Sequence, residues 1–163
     1  MEARAKLVGH PIHQMLIVFP LGLLGTAAIF DGVRTITKNR KWSIAGHYMI
    51  GTGVVSGLAA AVPGLVDYLA IPKKTRARRI GLLHGIGNVL VTGLFAASWV
   101  RRRRNPGRPN AAAIALSTSG MALALVTGWL GGELVDRLAV GVDEGAHVDA
   151  PSSLTHSELD AAA

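Results

Sequence analysis

The chain has 163 residues, of which 50% are apolar, 17% charged and 5% aromatic, with 20 glycines and no cysteine. Soluble domains carry about 25% charged residues, so this composition excludes a disordered or acidic solvating chain; the missing cysteines exclude disulfides, thiolate metal sites and Cys nucleophiles. Seventeen Lys/Arg against ten Asp/Glu give a net charge of +7, which suits either a nucleic-acid surface or the basic loops of a membrane protein.

The distribution of the charge decides between them. No Lys or Arg falls in 7–33, 42–72, 80–100 or 109–136, intervals of at least 21 residues, and a helix needs about 20 apolar residues to cross the hydrocarbon core. Four transmembrane helices are therefore expected, at about 11–33, 43–70, 80–100 and 111–135. The fold class is all-α, a four-helix transmembrane bundle of a multi-pass protein in the cell inner membrane. The run Arg101–Arg104 closely follows Trp99, the aromatic-then-basic order of a membrane boundary. It reads as attraction to membrane lipids rather than binding to nucleic acid. Four spans put the N-terminus, the 71–79 loop and the tail on one side, here side A. The 34–42 and 101–110 loops lie on side B. Side A carries eight Lys/Arg and side B nine, so counting cations does not orient the protein.

The first span opens with His10, Pro11 and, one turn on, His13. Pro20 removes a helical hydrogen bond and frees the carbonyl of Leu16, so a mid-membrane kink is expected. Asp31 ends the span. In the second, His47 lies one turn in at the same depth as Asp31, a pair that reads as a structural hydrogen bond, a second haem site or a proton relay. Gly51 leaves space beside His47. Gly53, Gly57 and Ala61 form a small-residue stripe of the kind that lets helices approach closely, and Pro63 precedes Asp67 near the side-A end. The third span carries Gly81, His84, Gly85 and Asn88 behind Arg78 and Arg79. The fourth carries Gly120, Ala124, Gly128 and Gly132 and ends at Glu133. Residues 141–163 form a polar tail, expected to be mobile, whose His147 and His156 have no assigned role.

The halves resemble each other. Leu65-Val66-Asp67 recurs as Leu134-Val135-Asp136 at an offset of 69, and His13 recurs as His84 at an offset of 71. Two spans separate the copies, so the repeats would be parallel, two helices each.

His10, His13, His84, Asp67, Asn88 and Glu133 share a depth near side A, drawn from all four helices, and ionisable groups within spans are usually functional. Three chemistries suit them. The first is a haem b held by His13 and His84, with Arg78 or Arg79 near its propionates and Asp67 or Asn88 on a ligand's second ring nitrogen. The second is a zinc or non-haem iron site of His10, His13, His84 and Asp67 or Glu133. The third leaves the histidines structural, in a non-catalytic scaffold or assembly subunit. No phosphate loop, H-E-x-x-H or G-x-S-x-G occurs, so an electron-transfer or accessory subunit is expected rather than a stand-alone enzyme. Its partners would be a redox protein or quinone, with homo-oligomers or a larger membrane complex as further possibilities.

Gly9-His10-Pro11-Ile12-His13-x-Met15-Leu16-x-x-Phe19-Pro20 with Asp31, Pro63-Gly64-Leu65-Val66-Asp67-Tyr68, Ala77-Arg78-Arg79 with His84 and Asn88, and Gly131-Gly132-Glu133-Leu134-Val135 resemble the bacterial membrane proteins of domain-of-unknown-function family 2231. The resemblance covers about 9–142. It implies a four-helix bacterial membrane protein, and the Rieske-type domains joined to some relatives imply electron transfer. Gln14 stands where the family tends to have a second proline, and Asp136 and Leu138 replace its Tyr-Arg-His pattern, so a ligand at that histidine in relatives has no counterpart here.

Overall fold

The computed structural model describes residues 1–154; the end of the expected tail, with His156, lies outside the described residues. A short antiparallel hairpin opens the chain, β1 (Lys6–Leu7) against β2 (His10–Pro11). It turns through Val8 and Gly9, both at positive φ. Five helices follow: α1 (Ile12–Leu16), α2 (Val18–Thr37), α3 (Arg40–Ala70), α4 (Arg76–Arg102) and α5 (Ala111–Gly132), with a π-helical turn over Glu133–Arg137. Together α1 and α2 form one span, so four helices are long and apolar enough to cross a membrane. The outward faces agree with that: Ile36, Tyr48, Val89 and Trp129 are all exposed, as side chains meeting lipid should be.

Local chemistry sets the ends. Asn39, Thr75 and Asn110 cap α3, α4 and α5 by accepting from the amides of Lys41, Arg78 and Ala113, satisfying donors a helix start otherwise leaves free. Lys38 closes α2 at φ 58, four residues beyond the expected end at 33. The break at Ile17 between α1 and α2 lies where Pro20 leaves the carbonyl of Leu16 without its usual donor. By contrast α3 continues unbroken past Pro63.

The closest partners are α2 with α3 and α4 with α5, and α3 with α4 joins the two hairpins. Between them lies a thin core of Leu24, Ala27, Ile50, Val91 and Phe95. The two hairpins pack alike, residue for residue. A Cβ on Gly53 would meet Leu24 at 2.6 Å and Leu23 at 3.3 Å; one on Gly120 would meet Phe95 at 2.9 Å and Leu94 at 3.4 Å. Leu23 and Leu24 match Leu94 and Phe95 at an offset of 71, and Gly53 matches Gly120 at 67. The parallel two-helix repeat is therefore visible in the packing. Its register in the second helix of each half is 67, not the 69 expected from Leu-Val-Asp. That triplet falls at the π-helical turn in the second half, and its two aspartates are not equivalent.

The small-residue stripes are only partly contacts. A Cβ on Gly85 or Gly128 would meet nothing within 4 Å, so these glycines face outward. The tail is also better anchored than expected: Gly141 N donates to Met1 O at 2.9 Å, Met1 N to Ala139 O at 2.8 Å, and the Ser153 hydroxyl lies 3.2 Å from His10 Nε2. Met1 supplies the backbone partners and His10 a side-chain partner for this part of the chain.

Candidate functional site

His13 lies in α1 and turns its ring toward α3, where Nδ1 is 2.8 Å from the carbonyl of Ala60. Gly64 makes the room, since a Cβ there would sit 2.7 Å from that nitrogen. His84 repeats the arrangement from α4 toward α5: Nδ1 is 2.9 Å from the carbonyl of Thr127, and a Cβ on Gly131 would come within 3.1 Å of the ring. The offsets are again 71 for the histidines and 67 for Ala60/Thr127 and Gly64/Gly131. A carbonyl only accepts, so each ring carries its proton on Nδ1 and presents a bare Nε2. The two rings face each other with centroids 6.5 Å apart and planes at 88°. Asn88 Nδ2, one turn along α4, donates to His84 Nε2 at 3.0 Å.

The other side-A candidates do not join this pair. Asp67 accepts from the amides of Arg4 and Ala5 at 2.7 and 2.9 Å, so it ties down the N-terminal segment rather than orienting a histidine. Glu133 pairs with Arg76 at 2.5 Å. Arg78 donates to the carbonyls of Tyr68 and Ile71 and stacks 3.9 Å over the Tyr68 ring; it closes the end of α3 and is not free for a propionate. Arg79 makes a backbone bond to Thr75. His10 faces Ser153, as described above. A Cβ on Gly81 would meet Tyr68 at 3.0 Å, so that glycine serves helix packing. Among the described residues no group of three or more His, Asp or Glu is placed to hold a metal ion.

On side B the expected Asp31–His47 pair does not form. Asp31 is bound from both carboxylate oxygens by Arg102, at 2.6 Å each, and Ser117 Oγ donates to it at 2.8 Å. Arg102 Nε also reaches Ser98 Oγ at 3.1 Å. Arg102 is fully buried and Asp31 is 3% exposed. The sequence sets Arg102 among the loop cations, but α4 extends two residues past the expected end at 100 and carries its side chain inward. One signal in the sequence marks it: Arg102 stands at an offset of 71 from Asp31, as His84 stands from His13. His47 stacks instead on Trp99, with centroids 5.7 Å apart and planes at 14°. Trp99 also fills the space beside Gly51, where a Cβ would meet its Nε1 at 2.7 Å. Arg34 Nε, Ser43 Oγ and His47 Nδ1 are buried at this end without a hydrogen-bond partner among the described residues.

The bundle thus holds two cross-hairpin polar pairs, an imidazole pair near side A and an ion pair near side B. Comparison with curated proteins and with solved structures gives no match. The profile of one family does match, over residues 9–144, a stretch that contains all four spans and both pairs. The chain belongs to this family, DUF2231, described as predicted membrane proteins.

Proposed function

We propose that this protein is a membrane electron-transfer subunit that holds a b-type haem between His13 and His84. One observation carries the reading: equivalent histidines of the two hairpins face each other with both Nδ1 atoms on backbone carbonyls. Metal-ligating histidines almost always donate their other ring nitrogen in this way, which fixes the tautomer and the ring orientation. A metal–imidazole bond is about 2.0–2.1 Å, so two imidazoles on opposite sides of one ion have centroids roughly 6 Å apart, close to the 6.5 Å observed. Asn88 holds the Nε2 of His84 and must release it for the iron to be bound. The group would supply one-electron transfer. Its partners would be a quinone or a redox protein within a larger membrane complex or homo-oligomer, and its place the inner membrane. A zinc or non-haem iron site has less support, because Asp67 and Glu133 are engaged elsewhere.

The Asn88 contact also favours a second reading, a non-catalytic scaffold in which the His13, His84 and Asn88 side chains only join helices. An absorption spectrum of protein purified from haem-supplied cells, oxidised and dithionite-reduced, separates the two. The haem reading expects a low-spin spectrum that His13→Ala and His84→Ala each abolish and Asn88→Ala keeps. A colourless preparation, with elemental analysis finding no iron, overturns it in favour of the scaffold.

A further inference from the structure

With Arg102 buried against Asp31, the eight remaining Lys/Arg of the side-B loops have no acidic neighbour, because Asp31 is that side's one carboxylate. Seven of the eight are exposed, Arg40, Arg103, Arg104 and Arg108 among them. Side A has the same number of cations, and three of them are engaged. Lys6 pairs with Glu2, Arg76 with Glu133, and Arg78 with helix-end carbonyls. Glu2, Asp67, Glu133, Asp136, Asp143, Glu144 and Asp149 stand on that side among the described residues. Counted as cations the two ends are equal; counted as net charge side B is strongly positive and side A nearly neutral. Trp42 and Trp99 sit at the side-B end, with the Arg103 guanidinium 5.5 Å from the Trp99 ring. That sets the cations at the height where an aromatic belt meets lipid headgroups.

We infer that side B is a docking surface for an anionic lipid leaflet, which in a cell is the cytoplasmic one, so that both termini lie on the opposite side of the membrane. The phosphates of the headgroups are the chemical partner of the exposed arginines, which match them in geometry and charge. Side A, where seven carboxylates stand among the eight cations, has a weaker pull on such a leaflet.

The absence of cysteine makes the orientation directly readable. Asn105→Cys on side B and Ala150→Cys on side A are each treated with a membrane-impermeant maleimide on intact spheroplasts. Ala150→Cys is expected to label at once and Asn105→Cys only after permeabilisation. The reverse pattern, or equal labelling, overturns the inference. The lipid contact is read in vesicles by quenching of Trp42 and Trp99 in a Trp129→Phe background, with brominated phosphatidylglycerol against brominated phosphatidylcholine. Binding is expected to favour the anionic lipid by roughly fivefold per engaged Lys or Arg, and the preference should fade at high salt. It should be lost when Arg101, Arg103, Arg104 and Arg108 are all changed to Gln and kept in Lys73→Gln/Lys74→Gln. Equal quenching by the two lipids at low salt in the otherwise native protein overturns the docking surface whatever the quadruple variant does.

Discussion

The Asp31–Arg102 pair gives the sharpest test of how the bundle is held together. Asp31→Ala removes a carboxylate that accepts three hydrogen bonds, two of them from the fully buried guanidinium of Arg102. A hydrogen bond to a charged group contributes about 1.5–3 kcal/mol, and stripping one partner from a buried ion pair costs about 3–5 kcal/mol because the other charge is left uncompensated. Arg102 keeps its contacts to Ser98 and Ser117, which sets the expectation at the lower half of that range, about 3–4 kcal/mol. Asp31→Asn retains an acceptor and should cost about 1.5–3 kcal/mol. The double variant Asp31→Leu/Arg102→Met removes both charges and should come within about 2 kcal/mol of the native protein, because an apolar pair needs no compensation. The assay is equilibrium unfolding in mixed detergent micelles titrated with dodecyl sulfate, read by circular dichroism and run as a double-mutant cycle. A cost below about 1 kcal/mol for Asp31→Ala, or a coupling energy below about 1 kcal/mol, would show that the pair is not what joins the hairpins here.

Three further outcomes follow from individual contacts in the protein. Gly53→Ala and Gly120→Ala place a methyl 2.6 Å from Leu24 and 2.9 Å from Phe95; each should cost about 1–3 kcal/mol by overpacking, read as a lowered melting temperature in detergent. Gly85→Ala and Gly128→Ala, where nothing lies within 4 Å, should be neutral or stabilise by up to about 1 kcal/mol through helix propensity; if all four behave alike, the assigned helix contacts are wrong. Asp67→Ala leaves the amides of Arg4 and Ala5 without their acceptor. Hydrogen exchange should rise several-fold across residues 3–12 while the bundle's melting temperature stays nearly unchanged, and unchanged exchange there would refute the anchoring role. Gly131→Leu drives a side chain into the His84 ring; it should abolish any haem spectrum as His84→Ala does, whereas Gly128→Leu should leave it intact.

The spans were readable because hydropathy and gaps between cations are sums over about twenty residues, and such sums survive local detail. The facing of His13 and His84 was also readable, since both lie one turn in from the same side. Polar partners were harder. Asp67, Glu133 and His13 share a depth, but depth fixes only one coordinate of three. Rotation about each helix axis sends Asp67 to the N-terminal backbone and Glu133 to Arg76. Arg102 was hidden for the same reason: one arginine in a run of four looks like a loop cation until helix phase turns it inward. The repeat carries that information in the offset of 71 that joins Asp31 to Arg102, a different register from the Leu-Val-Asp match at 69. Leucine and valine match by chance at many offsets; a packed glycine matches only where a partner helix comes close.

The two cross-hairpin pairs differ in how their counterparts meet. Both join residues 71 apart, so each is made by a position meeting its own counterpart from the other hairpin. Where the counterparts differ in charge, as Asp31 and Arg102 do, they satisfy each other, while Arg34 Nε, Ser43 Oγ and His47 Nδ1 stay buried nearby without a partner among the described residues. Where they are the same, as His13 and His84 are, they cannot: with both protons held on Nδ1 by carbonyls, each ring offers a lone pair and neither offers a donor to the other. Asn88 serves one ring, and the Nε2 of His13 has no hydrogen-bond partner among the described residues. Two like imidazoles with both protons on Nδ1 cannot complete each other's hydrogen bonds, and that is what supports the proposal that a ligand joins them.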